Sequence, residues 1–143
     1  MKVLGSYSGN IAYCIEPGVP LKDGQSMTKY DENYFNNITS NGVISGDEIR
    51  MFIGRIMQYG YRGGVSLSWK SQNADAANSI AHAYATQLLI WETVIGERDA
   101  NFNHKSTSGY SNVKDVVSTS HPLRSKIFSY YDSMVQSLSL IHI

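Results

Sequence analysis

The chain has a single cysteine, Cys14, in the apolar, strand-like run Ala12-Tyr13-Cys14-Ile15, and a glutamine, Gln87, at a helical position where a hydrophobic residue is expected. These two side chains can react with each other. A thiolate that attacks the carboxamide carbon expels ammonia and leaves an intramolecular thioester, an electrophile stored inside the fold. One cysteine cannot form an internal disulfide, so its chemistry has to be sought with another partner.

Gln87 owes its expected burial to helical spacing. Ala77, Ile80, Tyr84, Trp91 and Ile95 recur on one face of the run Ala81-His82-Ala83-Tyr84-Ala85-Thr86-Gln87-Leu88-Leu89-Ile90-Trp91-Glu92 and its flanks. Gln87 stands seven residues after Ile80 and four before Trp91, inside that stripe. A buried amide without partners costs about 1–3 kcal/mol, so Gln87 should be either hydrogen-bonded or chemically consumed. Taken alone it also reads as a satisfied core glutamine.

Two segments carry a resemblance. Tyr13-Cys14-Ile15-Glu16-Pro17-Gly18 and Thr86-Gln87-Leu88-Leu89-Ile90-Trp91-Glu92 resemble, in this order, the two halves of the signature of thioester domains on surface adhesins of Gram-positive bacteria. In that family an aromatic-cysteine-aliphatic step on a strand supplies the thiol, and a glutamine followed four residues later by tryptophan supplies the acyl group. Tyr59-Gly60-Tyr61, Gly96-Glu97-Arg98-Asp99 and Tyr130-Tyr131-Asp132-Ser133 resemble the family's intervening and following segments, which extends the likeness from about Gly9 to about Leu138.

Composition narrows the alternatives. With 143 residues, 42% of them hydrophobic, the chain can bury one modest core and reads as one domain. Twelve basic and twelve acidic residues leave no electrostatic footprint for nucleic acid. No run approaches the ~18 consecutive apolar residues of a membrane helix, and Met1-Lys2-Val3-Leu4 is too short for a secretion signal. The four histidines are scattered without zinc spacing. Gly60-Tyr61-Arg62-Gly63-Gly64 lacks the lysine and hydroxyl residue of a phosphate loop. Neither a metal nor a cofactor is expected.

The pattern predicts an α+β fold in which short N-terminal strands carry the cysteine and about three helices form the larger part. Val3 to Tyr7 and Ile11 to Glu16 read as strands joined by the turn Ser8-Gly9-Asn10. Pro17 to Asn41 reads as a surface crossing. Ser45 and Glu48 form a capping box for a helix from about Gly46 to Tyr59, with Ile49, Phe52, Ile53, Ile56 and Met57 facing inward. A polar connection, Val65 to Gln72, carries Trp69. The long helix runs from Asn73 or Ala74 to Ile95, with Gly96 as its left-handed cap. Val113, Val116 and Val117 suggest one short turn in an otherwise looped stretch. A third helix begins after His121-Pro122 and buries Leu123, Ile127, Tyr130, Tyr131, Met134 and Leu138.

The resemblance implies a single thioester domain over 1–143, cut short before the β-strands that would complete its sheet, with 139–143 as a tail of foreign sequence. It further implies a monomeric extracellular adhesin module, anchored to a bacterial cell wall through other parts, that binds covalently to a lysine amine of a host surface or matrix protein. Such a module is a self-modifying, single-turnover binder and not an enzyme. Cys14 and Gln87 are the reacting pair, Tyr13, Trp91 and Tyr84 are candidates to shield it from water, and His82 is a candidate base. Two other readings stay open: a cysteine hydrolase with Cys14 as nucleophile and His82 or His121 as base, and a non-covalent module in which Cys14 and Gln87 are merely buried.

Overall fold

The computed structural model describes residues 5–7, 10–15, 38–63, 74–106 and 111–140. In chain order they carry β1 (Gly5–Tyr7), β2 (Asn10–Ala12), α1 (Gly46–Tyr59), α2 (Ala74–Ile95), a short 3-10 helix (Val113–Val116) and α3 (Arg124–Leu140). The expected connection with Trp69, most of the stretch from Pro17 to Asn41, and residues 141–143 lie outside the described residues.

The helical part is built as its sequence predicts. Ser45 Oγ accepts from the Glu48 amide at 3.1 Å and the Glu48 carboxylate accepts from the Ser45 amide at 3.0 Å, which closes the capping box that starts α1. Ile49, Phe52, Ile53 and Ile56 are buried along one face of α1. Gly60 ends this helix and returns its N–H to the Ile56 carbonyl at 2.7 Å. α2 stops at Gly96, whose φ of +93° lets the Glu97 amide reach the Glu92 carbonyl at 2.8 Å. The Asn41 side chain donates to the carbonyls of Thr93 and Val94, two more of the acceptors a helix end leaves open.

Three expectations need correction. First, β1 and β2 pair antiparallel with Gly5 opposite Ala12, but the ladder ends at Ala12, so Cys14 follows the strand instead of lying in it. Its main chain is bonded to a side chain of α2, as set out below, and is therefore unavailable to a neighbouring strand. Second, α2 is not an amphipathic surface helix. From Ile80 to Thr93 every residue except the half-buried His82 is buried, because α1, α3 and the 3-10 helix pack around it, and the stripe residue Ile95 is exposed. Third, α3 begins at Arg124, so Leu123, expected on its buried side, precedes the helix and is half-buried. Tyr130 is only half-buried, with its ring stacked on His82 at 4.7 Å.

A helix buried all round has to satisfy its polar side chains from within. Thr86 and Thr93 donate back to the carbonyls of His82 and Leu89, each at 2.8 Å. The fully buried Glu92 accepts from Arg98 Nε at 2.9 Å and from the Tyr131 hydroxyl at 2.6 Å. Arg98 donates its remaining nitrogens to the Phe102 carbonyl at 2.8 Å and to the Tyr131 hydroxyl at 2.6 Å. Phe102 itself takes a left-handed φ of 62°, uncommon for a side chain of this size, and seats its fully buried ring 5.0 Å from that of Phe52. The network thus joins the end of α2 to the loop after it and to α3.

Arg98→Met should destabilise the protein by about 3–5 kcal/mol, because it leaves Glu92 buried without its cation. Urea unfolding followed by circular dichroism measures this; a loss below about 1 kcal/mol would mean the pair is no more than a surface-type salt bridge.

Candidate functional site

Gln87 is fully buried on α2, and both polar atoms of its carboxamide are taken by the main chain of Cys14. The Cys14 N–H donates to Oε1 at 2.7 Å, and Nε2 donates to the Cys14 carbonyl at 2.7 Å. A backbone N–H can only donate and a carbonyl can only accept, so this pair fixes which way the amide faces. The carboxamide occupies the place that the peptide group of a neighbouring strand would fill in a ladder. It also gives each polar atom of Gln87 a partner, so the cost of burial by itself does not demand further chemistry.

The electrostatics of the pair are uneven. The N–H on Oε1 draws electron density from the amide carbon, while burial pushes the Cys14 thiol above its ordinary range and so keeps it protonated near neutrality. That direction is opposite to the lowered thiol of a cysteine activated for hydrolysis.

The other expected site residues fall in three places. Tyr13 is half-buried; its hydroxyl donates to the Tyr61 carbonyl, and burial pushes that hydroxyl far above the usual tyrosine range, opposed by a hydrogen bond with Thr86. Trp91, one helical turn after Gln87, is buried, and its indole Nε1 has no hydrogen-bond partner among the described residues. Tyr84 is buried with its ring edge-on to His121 at 5.8 Å.

The histidines have partners of their own. His82 Nε2 lies 2.9 Å from the Tyr59 carbonyl, to which it donates. His104 Nε2 is 3.1 Å from Glu97 Oε1, and His121 Nδ1 accepts from the Leu123 amide at 3.0 Å. None of these bonds brings a histidine to Cys14, and His142 lies outside the described residues.

Glu92, Glu97 and His104 bring ligand-type atoms within 4.8 Å of one another. Their carboxylate oxygens are already engaged, by Arg98 and Tyr131 on Glu92 and by the Val113 amide and His104 on Glu97.

Two residues beside the pair stood in the segments that carry the resemblance but were given no role of their own. Thr86 precedes Gln87, and its Oγ1 accepts from the Tyr61 amide at 3.0 Å. Tyr61, 8% exposed, follows the helix-ending Gly60. The signal for each was its place in a segment quoted for the resemblance, beside Gln87 and beside a glycine helix stop.

No helix among the described residues is long and apolar enough to cross a membrane. Neither the comparison with curated proteins nor that with solved structures returned a match. The family model described as thioester domain matches residues 11–135, a span that begins before Cys14, includes Gln87 and runs into α3. By the extent of that match the chain belongs to the thioester domain family.

Proposed function

We propose that the Cys14 sulfur and the Gln87 carboxamide carbon join in an intramolecular thioester and that the chain uses this bond to attach covalently to a lysine amine on a host surface or matrix protein. The observation that carries the reading is the two-point grip of the Cys14 main chain on the Gln87 amide. Sulfur is two bonds from the Cα that lies between the gripping N–H and C=O, so it is tethered close to the amide carbon. Membership of the thioester domain family supports a covalent binding module of an extracellular surface adhesin and not a catalytic enzyme.

In the first step sulfur adds to the carbon, and the negative charge that develops on Oε1 is met by the Cys14 N–H. Collapse breaks the bond to Nε2, and the thiol proton leaves with that nitrogen as ammonia. In the second step a primary amine adds to the same carbon, still polarised by the Cys14 N–H. The carbon–sulfur bond breaks, an amide joins Gln87 to the target, and the proton lost by the amine restores the Cys14 thiol. Each molecule reacts once. Water is the competing nucleophile, and the buried Trp91 and the half-buried Tyr13 are the side chains assigned to exclude it.

A second reading, in which Cys14 and Gln87 only pack together, is favoured by the same hydrogen bonds, since they leave Gln87 satisfied. Mutants separate the two. Cys14→Ala and Gln87→Ala should each abolish methylamine incorporation, measured by intact mass, while the circular dichroism of the helices is kept. Gln87→Glu should retain a free thiol, because a carboxylate resists attack by a thiolate. Methylamine captured by Cys14→Ala would remove Cys14 from its assigned role.

The raised thiol gives a pH dependence. Thiolate is the reacting form, so in Gln87→Ala, where the thiol is free, the rate of alkylation should keep rising with pH beyond the ordinary thiol range. A rate that levels off below that range would contradict the burial of the sulfur.

Trp91→Ala should cost about 3–5 kcal/mol in stability, as large aromatic deletions from a core do. It should also shorten the lifetime of the thioester in buffer, read as faster appearance of titratable Cys14 thiol. If the variant folds, closes the bond and hydrolyses no faster than the parent, Trp91 serves packing alone.

A further inference from the structure

Each reacting residue has an immediate neighbour bonded to the same third residue. Tyr13, before Cys14, donates its hydroxyl to the Tyr61 carbonyl; Thr86, before Gln87, accepts from the Tyr61 amide at 3.0 Å. With the bonds between Cys14 and Gln87 these links close a ring: Tyr13 to Cys14 along the chain, Cys14 to Gln87 by hydrogen bonds, Gln87 to Thr86 along the chain, and Thr86 through Tyr61 back to Tyr13. Hydrogen bonds of both Tyr13 and Cys14 therefore tie this segment to the helical body. Those of the Tyr13 hydroxyl, with the Tyr61 carbonyl and with Thr86, do not use Gln87.

This matters because the reaction of the proposed function consumes part of its own scaffold. When Nε2 departs as ammonia, its bond to the Cys14 carbonyl goes with it, and a brace that does not depend on Gln87 has to keep the two segments in register. The Gly60-Tyr61 main chain is held hard against α2 for this purpose. A Cβ at Gly60 would stand 2.5 Å from Thr86 Cγ2 and 2.8 Å from both Thr86 Oγ1 and the Ile56 carbonyl oxygen. The Thr86 hydroxyl is itself aimed by its bond to the His82 carbonyl at 2.8 Å, so its lone pair faces the Tyr61 amide. Tyr61, Thr86 and Gly60 are all buried, which keeps these bonds out of competition with water.

We propose that Tyr61, through its main-chain carbonyl and amide, together with the hydroxyls of Tyr13 and Thr86, forms a positioning bracket that sets the approach of the Cys14 sulfur to the Gln87 carbon. The inference rests on the thioester reading above. The hydrogen bonds of the bracket are made to one another and to the His82 carbonyl, not to the Cys14 sulfur or the Gln87 carboxamide. Their effect is on geometry, where a displacement of about 1 Å costs about a hundredfold in rate.

The test is the time course of ammonia loss after cell-free synthesis of the full chain, followed by intact mass. The parent is compared with Tyr13→Phe, Thr86→Val and Thr86→Ser. Each Cys14→Ala counterpart, which cannot form the bond, gives the thermal midpoint due to packing alone, and rates are compared at a temperature where all the counterparts are folded. Tyr13→Phe and Thr86→Val should each close about tenfold to a hundredfold more slowly than the parent, while Thr86→Ser, which keeps the hydroxyl, restores closure to near the parental rate. Should Tyr13→Phe and Thr86→Val close at the parental rate while folded, the bracket is overturned and the thioester reading stands. A parent that never loses ammonia overturns that reading and the bracket with it.

Discussion

The site depends on one pair of hydrogen bonds, those by which the Cys14 main chain holds the Gln87 carboxamide. Both backbone groups of Cys14 are spent on a side chain, so the residue cannot continue the ladder of β1 and β2, which ends at Ala12. The bonds are short, 2.7 Å each, and they leave the amide no freedom to flip. The N–H on the carbonyl oxygen polarises the amide carbon, and the acceptor on Nε2 fixes which way the amide faces. In the proposed thioester reaction the same N–H that satisfies Gln87 Oε1 would meet the charge that develops there.

That constraint explains why α2 lies at the centre. A carboxamide reachable by water would compete poorly for the Cys14 main chain, and a thioester there would hydrolyse. α1, α3 and the 3-10 helix cover the faces of α2 along the length that holds Gln87. Central placement carries costs that the sequence meets with specific residues. Thr86 and Thr93 bond back to the helix, Glu92 needs both Arg98 and Tyr131, and Gly96 with Asn41 closes the C-terminal carbonyls. The indole N–H of Trp91 is the exception, a buried donor without a partner among the described residues, one turn from Gln87. An orphaned donor of this kind costs about 1–3 kcal/mol. Its retention beside Gln87 suits a ring placed for coverage, with its hydrogen bonding left unsatisfied.

Local signals were the legible ones. Ser45 with Glu48, Gly60, Gly96 and the Val113 cluster each act through their own turn of chain, and the helix boundaries follow from them nearly residue for residue. The all-round burial of α2 was hidden because Ala81, Ala83, Ala85 and Thr86 look indifferent to exposure until neighbours pack on them. The strand at Cys14 was misjudged for a related reason: an apolar alternating run states a preference for extended backbone but not what will pair with it. The pairing of Cys14 with Gln87 spans 73 residues, and only the motif order could suggest it. The part of Tyr61 in the bracket was beyond reach, since Tyr61 enters it through main-chain groups that every residue carries.

Chemistry and packing differ in one quantity that folding alone cannot change, the mass of the chain. The most direct measurement is intact mass spectrometry of the purified parent before and after exposure to methylamine, followed by peptide mapping of the product. The thioester account predicts a chain lighter than its sequence by one ammonia, which then gains one methylamine located on Gln87 as Cys14 becomes titratable. A parent that has the full sequence mass, with a titratable Cys14 from the outset and no methylamine on Gln87, would contradict it.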